Sequence, residues 1–150
     1  MAIIDGEAAP TSDKTADETA IEALVAAFFS AFTSGPDAAS RLDDLRRIML
    51  PGATVVRTCG LPVEVYDVDS FIAPRLALLT SGEISEFEEW PEPGRTDVFG
   101  DIAHWWGAYG KRWRADGEIH TGRGMKTMSF VRTDDGWRIS SAAWDDERQG

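Results

Sequence analysis

Few side chains in this sequence can move a proton or polarise an oxygen near neutral pH, and most of them stand in its second half. His104 is one of two histidines. Imidazole titrates near neutrality, so on the wall of a pocket His104 can act as acid or base, and in a packed wall it is a satisfied structural residue. His120 stands close to a turn, where exposure is expected. Tyr109 and Arg57 can polarise a ligand oxygen. Arg57, Arg123 and Lys126 all fall where strands are expected, and one of them inside a pocket would suit an anionic or carbonyl-bearing ligand. The competing reading is charge pairing across a solvated face, since residues 111–138 hold seven Lys/Arg and residues 83–97 hold six Asp/Glu. Asp145, Asp146 and Glu147 end the last strand, where a rim carboxylate can serve as a base and consecutive acids can equally be solvated.

The elements that must hold these groups are legible in residues 97–148. Two turn signals, Ala115-Asp116-Gly117 and Thr133-Asp134-Asp135-Gly136, divide this run into three antiparallel strands, because glycine tolerates positive φ and aspartate satisfies turn backbone. Strand alternation puts His104, Trp106 and Ala108 on one face and Trp105, Gly107 and Tyr109 on the other. In the next strand His120, Gly122, Gly124, Lys126, Met128 and Phe130 share a face. Trp105, Trp106, Trp113, Trp137 and Trp144 cannot all point one way under that alternation. About half are expected to line a pocket and core, and the rest to pack a partner subunit sheet to sheet.

Helices are expected ahead of that sheet. Thr15-Ala16-Asp17-Glu18 fits a capping box, and Ile21, Leu24, Val25, Phe28 and Phe32 follow as one apolar stripe ending at Gly35-Pro36. Asp37 can cap a second helix bearing Leu42, Leu45, Ile48 and Met49, stopped by Pro51-Gly52. Strands are predicted over residues 53–58 and 63–68, and a third helix from Asp69-Ser70 to about residue 81, with Leu76, Leu78 and Leu79 for packing and Pro74 near its first turn. Residues 83–90 alternate as a strand. The Pro91-Glu92-Pro93-Gly94 run then predicts an edge or a bulge.

With 150 residues, 43% hydrophobic and 27% charged, the chain suits one α+β domain over residues 15–150, behind a flexible arm at residues 1–14. A net charge of −11 opposes nucleic acid and anionic membrane surfaces. The single cysteine, Cys59, allows no internal disulfide and reads as a small buried filler, and no Cys/His spacing resembles a zinc site. No metal or cofactor is called for. Without a signal peptide or an unbroken apolar span, the expected location is the cytoplasm.

Three local features carry a family likeness: Ala31 to Gly35 closing the first helix before the Pro51-to-Val55 strand entry, Gly100-Asp101-Ile102-Ala103 opening a long strand, and Asp135-Gly136-Trp137-Arg138-Ile139 starting the last. On these the chain resembles the nuclear-transport-factor-2-like superfamily, also called cystatin-like or SnoaL-like, over about residues 15–148. An uncharacterised subgroup is the nearest in flavour, on Ala103 to Tyr109 and Trp144 to Glu147. The resemblance implies a cone-shaped, curved antiparallel sheet of five to six strands closed by three helices from the N-terminal half, with a pocket in the cone and frequent homodimers. Members include steroid isomerases, scytalone dehydratases, epoxide hydrolases and polyketide cyclases.

A steroid-isomerase-like site needs a carboxylate on the first strand and a phenol on the first helix. Arg57 or Thr58 and Phe28 stand there, so both roles are vacant. The expectation is a pocket protein for a small apolar or aromatic ligand, working as an acid–base lyase, isomerase or hydrolase. Its candidate catalytic residues are His104, Tyr109 and Arg57, and its candidate ligand-binding residues are Phe28, Trp106, Arg123, Met128 and Trp144. The alternative is a homodimeric binding module, joined through the sheet face, without turnover.

Overall fold

The structure is a computed structural model and describes residues 14–148, so the expected arm falls outside it but for Lys14. Helix α1 (Ala16–Ser30) begins with the capping box: Glu18 N–H donates to the Thr15 hydroxyl at 3.0 Å and Thr15 N–H donates to the Glu18 carboxylate at 2.9 Å. Ile21, Val25, Phe28 and Phe29 are its buried side chains, while Leu24 is only partly covered. Helix α2 (Ala38–Ile48) has Asp37 as its N-cap, with no side-chain capping bond, and buries Leu42 and Leu45. Strand β1 (Met49–Arg57) starts at once and runs through Pro51-Gly52, the pair expected to stop a helix. Its pairing shifts between Met49 and Thr54, which accommodates a proline that cannot donate to a ladder.

Strand β2 is confined to Glu64–Tyr66, and α3 (Val68–Thr80) starts earlier than expected. Asp67, not Asp69, is its cap, accepting from Ser70 N–H at 2.8 Å while Ser70 Oγ accepts from Asp67 N–H at 3.0 Å. That start makes Pro74 an interior residue, so the bond its N–H would have made to the Ser70 carbonyl is lost. Phe71, Ile72 and Leu79 carry the packing, whereas Leu78 is 43% exposed. Then come β3 (Ser85–Phe99), β4 (Ile102–Ala115), β5 (Glu118–Thr133) and β6 (Gly136–Asp146).

The six strands form one curved, unclosed sheet in the order β2-β1-β6-β5-β4-β3. It is mixed rather than antiparallel: hairpin turns reverse the chain from β3 through β6, and β6 comes to lie beside β1 in the same direction. The three helices cover one face, called inner here. Among the described residues no element covers the outer face. As the double proline predicts, β3 is an edge strand, and its register with β4 shifts between Pro91 and Gly94.

The tryptophans do not divide as simple alternation predicts. Trp105 and Trp137 are buried on the inner face, Trp144 packs against Phe71 of α3 and Trp113 lies 6.1 Å from Phe87, leaving only Trp106 of the five on the outer face. A register shift in the β5/β6 pairing supplies the reason: Phe130 pairs with Ile139 but Ser129 with Ser141, so the extra Ser140 changes the phase of β6. Trp137 before the bulge and Trp144 after it therefore both point inward. Opposite them, α1 is tied to the sheet by Asp17, which accepts from Arg132 at 3.0 and 2.9 Å and from the Trp137 indole at 3.2 Å.

Trp105 lies flat across the β3/β4 pair where both strands carry glycine. A Cβ on Gly107 would stand 2.5 Å from the Trp105 ring and 3.0 Å from Gly94 Cα. Gly107→Ala is expected to lower stability by about 2–3 kcal/mol, as overpacking of a filled core does. Thr15→Ala should cost about 1 kcal/mol through loss of the cap. Urea midpoints of the two variants against wild type check both.

Candidate functional site

Between the inner face of the sheet and α3 lies a cavity of about 430 Å³. Phe71, Pro74, Arg75 and Leu79 of α3 roof it, and the turn after β1 closes one side with Cys59 and Leu61. The sheet supplies its charged lining: Arg57 from β1, Glu89 from β3, Lys111 from β4, Lys126 from β5 and Asp146 from β6. Counting Arg75, four basic groups face two acidic ones, in a chain whose net charge is −11.

Lys126 is the central group. It is 3% exposed, the one charged residue among the described ones that is buried with the core. Its Nζ lies 4.3 Å from the ring centre of Phe29, 4.6 Å from Phe28, 5.2 Å from Tyr109 and 5.3 Å from Trp144. None of the ion pairs formed among the described residues includes it. Aromatic faces return about 2 kcal/mol to a desolvated ammonium, whereas removing it from water costs several. Burial wins: with Glu89 opposing the shift and Arg75 and Lys111 reinforcing it, Lys126 is pushed down to about 8.

Glu89 borders the same space, and burial raises its carboxyl above the usual carboxylate range despite Lys126 and Lys111. Burial thus disfavours the charged form of both groups, drawing their affinities for the proton toward each other. Asp146 behaves otherwise. Its burial is outweighed by the Tyr109 hydroxyl, which donates to Oδ1, and by Lys111 Nζ, which donates to Oδ2 at 3.1 Å, and its carboxyl is lowered. Tyr109, fully buried and donating to that carboxylate, is pushed well above the ordinary phenol range, first by burial and then by Asp146. Gly124 makes room for this pair, since a Cβ there would meet the Tyr109 hydroxyl oxygen at 2.5 Å.

Two guanidinium groups complete the wall. Arg75 lies over Phe71 at 4.0 Å, donates to the Phe71 carbonyl at 3.0 Å, and is lowered by burial. Arg57 pairs with Glu64 at 2.7 Å, yet its Nε is buried with no partner among the described residues. A buried donor left unpaired invites a ligand acceptor.

The structure distributes the sequence-derived candidates over both faces. Arg57 and Trp144 line the inner cavity, and Tyr109 reaches it through Asp146. Phe28 and Met128 are fully buried on the same side, Phe28 against the Lys126 ammonium. His104, Trp106 and Arg123 lie across the sheet. His104 Nε2 is 2.6 Å from Thr127 Oγ1, and it borders an outer groove of about 420 Å³ with Phe99, Ile102, Ser129 and Val131. Trp106 and Arg123 flank another outer groove.

Residue types and spacing do not single out Glu89, Lys111 or Arg75, and they allow Lys126 either a pocket or a charge-paired face. Alternation held the signal for Lys126, because it shares a face with Met128 and Phe130, and a lysine on an apolar stripe does not belong to a solvated one. The charge-pairing reading does hold for its neighbours, with Arg114 bound to Glu86 at 2.8 Å and Arg112 near Glu88 at 3.9 Å.

No family model matches the chain, and no curated protein sequence matches it. Solved structures do. The protein Kfla4162 from Kribbella flavida is 19% identical with a TM-score of 0.73, over 89% of this chain and 93% of that one. An NTF2-like protein with a cystatin-like fold from Novosphingobium aromaticivorans is 18% identical with a TM-score of 0.67, over 89% and 84%. An NTF2-like protein of unknown function from Prochlorococcus marinus is 14% identical with a TM-score of 0.65, over 91% and 97%. Identities this low speak to architecture alone. Three helices laid on one face of a six-stranded, curved and unclosed sheet are the nuclear-transport-factor-2-like, cystatin-like fold, and this chain has it.

Proposed function

We propose that this chain is a small-molecule pocket protein of the SnoaL-like type, performing acid–base chemistry on an apolar or aromatic substrate that carries a carbonyl or carboxylate oxygen. The observation that carries this reading is Lys126, buried among aromatic rings at the wall of the inner cavity with no carboxylate ion-paired to it among the described residues. An ammonium placed so polarises a carbonyl more strongly than it would in water, because little solvent is present to screen it. Glu89 gives and takes the proton, and Arg57 with its unpartnered Nε anchors an anionic substituent. Proton shuttling beside a polarised carbonyl is the work of a lyase or isomerase.

A second reading, a homodimeric binding module without turnover, draws on the outer face. Phe99 is 84%, Ile102 60% and Trp106 48% exposed there, beside partly covered Ala108, Ser129, Ser141 and Ala143. An exposed apolar stripe on an uncovered sheet face fits a second copy of the chain packed against it. Dimerisation is compatible with either reading. Trp106→Glu is expected to turn a dimer into a monomer in sedimentation velocity; equal sedimentation of wild type and variant would remove this face from consideration.

The buried Lys126 also has a stability signature. Its pKa of about 8 in the folded chain lies below the ordinary lysine value, so below that pH both folded and unfolded states hold the proton and the burial penalty is fully present. As pH rises above about 8 the folded state sheds its proton first, and stability rises by about 3 kcal/mol until the unfolded chain also titrates near 10.4. Urea titrations from pH 7 to 10.5 should show that gain in wild type and lose it in Lys126→Met. Binding is tested by isothermal titration with benzoate and 4-carboxybenzaldehyde: saturable binding that Lys126→Met and Arg57→Met each weaken about tenfold or more is expected. Unchanged affinity in both variants would put the ligand elsewhere.

A further inference from the structure

The structure assigns Lys126 a covalent role: its Nζ forms an imine with the carbonyl carbon of an oxo acid or aryl aldehyde or ketone held in the inner cavity. This deepens the function proposed above and rests on it, since the carbonyl must first reach Lys126.

Geometry limits where the amine can react. Phe28, Phe29, Tyr109 and Trp144 surround Nζ at 4.3 to 5.3 Å, and Lys126 lines the inner cavity. Among the described residues no carboxylate forms an ion pair with it to hold it as an ammonium. A lysine intended only as a counter-charge is better placed like Lys111, whose Nζ donates to Asp146 at 3.1 Å. Desolvation in an apolar pocket is the established way of making a lysine nucleophilic. With Lys126 near 8, about a quarter of it is free amine at pH 7.5, against about a thousandth of an ordinary lysine.

The remaining groups complete the step. The amine lone pair attacks the carbonyl carbon, forming the C–N bond, and the C=O π pair moves onto oxygen, which takes a proton from the Glu89 carboxyl, whose charged form burial disfavours. The resulting carboxylate accepts a proton from the nitrogen and returns it to the hydroxyl, which leaves as water while the nitrogen lone pair forms the C=N bond. Substrate carbonyl, amine and the Glu89 proton become protonated imine and water, leaving Glu89 as the carboxylate, with nothing oxidised or reduced, and hydrolysis reverses it. Arg57, Arg75 and Lys111 at the wall select substrates with an acidic substituent. The protonated imine withdraws electrons from the adjacent carbon more strongly than a hydrogen-bonded carbonyl does, which suits proton abstraction or C–C cleavage at that carbon.

Reductive trapping tests the assignment in the whole 150-residue chain. The protein is incubated with 4-carboxybenzaldehyde and sodium cyanoborohydride at about pH 7.5, and adducts are mapped by peptide mass spectrometry among the three lysines, Lys14, Lys111 and Lys126. The expected result is a secondary-amine adduct at Lys126 forming about tenfold or more faster than at Lys14 or Lys111, with a rate that climbs through pH 8 rather than pH 10. Benzoate should compete with it. The mapping is done on wild type and so needs no variant to fold; Lys126→Arg, which keeps the charge, should abolish the adduct. Trapping only at Lys14, Lys111 or the α-amine, in a protein that calorimetry shows to bind the aldehyde, would overturn the imine and leave the pocket reading standing. Absence of both adduct and binding would remove both.

Discussion

Two irregularities in strand pairing decide which side chains reach the interior. A strand alternates its faces, so a regular strand can offer inward only every second residue. In β3 the shift between Pro91 and Gly94 lets Phe87 and Glu89 face the cavity while Thr96, an odd nine residues after Phe87, bonds to Glu22 of α1 at 3.4 Å. In β6 the bulge at Ser140 lets Trp137 close the core against α1 and Trp144 wall the cavity. Without these phase changes, one end of each strand would turn its core residues to water. The acid and the aromatic wall that address Lys126 are thus placed by defects in the ladder.

That mechanism also marks what could be read without coordinates. The Thr15/Glu18 capping box, the turns at Asp116-Gly117 and Asp134-Asp135, and the disturbance at Pro91 to Gly94 were all legible, because each is a short-range matter of backbone groups and their partners. The phase change at Ser140 was not. It comes from the pairing of two strands, and nothing in Ile-Ser-Ser-Ala announces which serine will be extra. The division of the tryptophans therefore differed from the expected one. The parallel neighbour of β1 escaped for the same reason, being a contact between residues near 55 and 142. For the site, strand parity correctly separated His104 from Tyr109, but which of the two faces would meet the helices was undetermined. Structure puts Tyr109 and Lys126 inside and His104 outside.

The interior electrostatics follow from an imbalance confined to a small volume. Most surface pairs, such as Arg46 with Asp43 or Arg148 with Asp145, are exposed and contribute little to stability. Inside, the two acids are treated differently: Asp146 has Tyr109 and Lys111 as donors and is held charged, whereas Glu89 lacks such hydrogen bonds among the described residues and leans neutral. One carboxylate thus fixes the architecture of the wall while the other stays free to exchange its proton, a division of labour set by hydrogen-bond donors and not by distance from the ligand.

The β3 edge has a bearing on how the chain behaves in company. An unclosed sheet leaves a row of backbone donors and acceptors that another chain's strand could extend. Here that border is broken by Pro91 and Pro93, bent by two register shifts, and studded with Glu86, Glu88 and Glu92. Two such borders brought together would find no continuous ladder and would repel each other at neutral pH. The same prolines that bend β3 around the cavity therefore act as a guard against aggregation, so pocket shape and resistance to edge-to-edge assembly rest on one stretch of the chain.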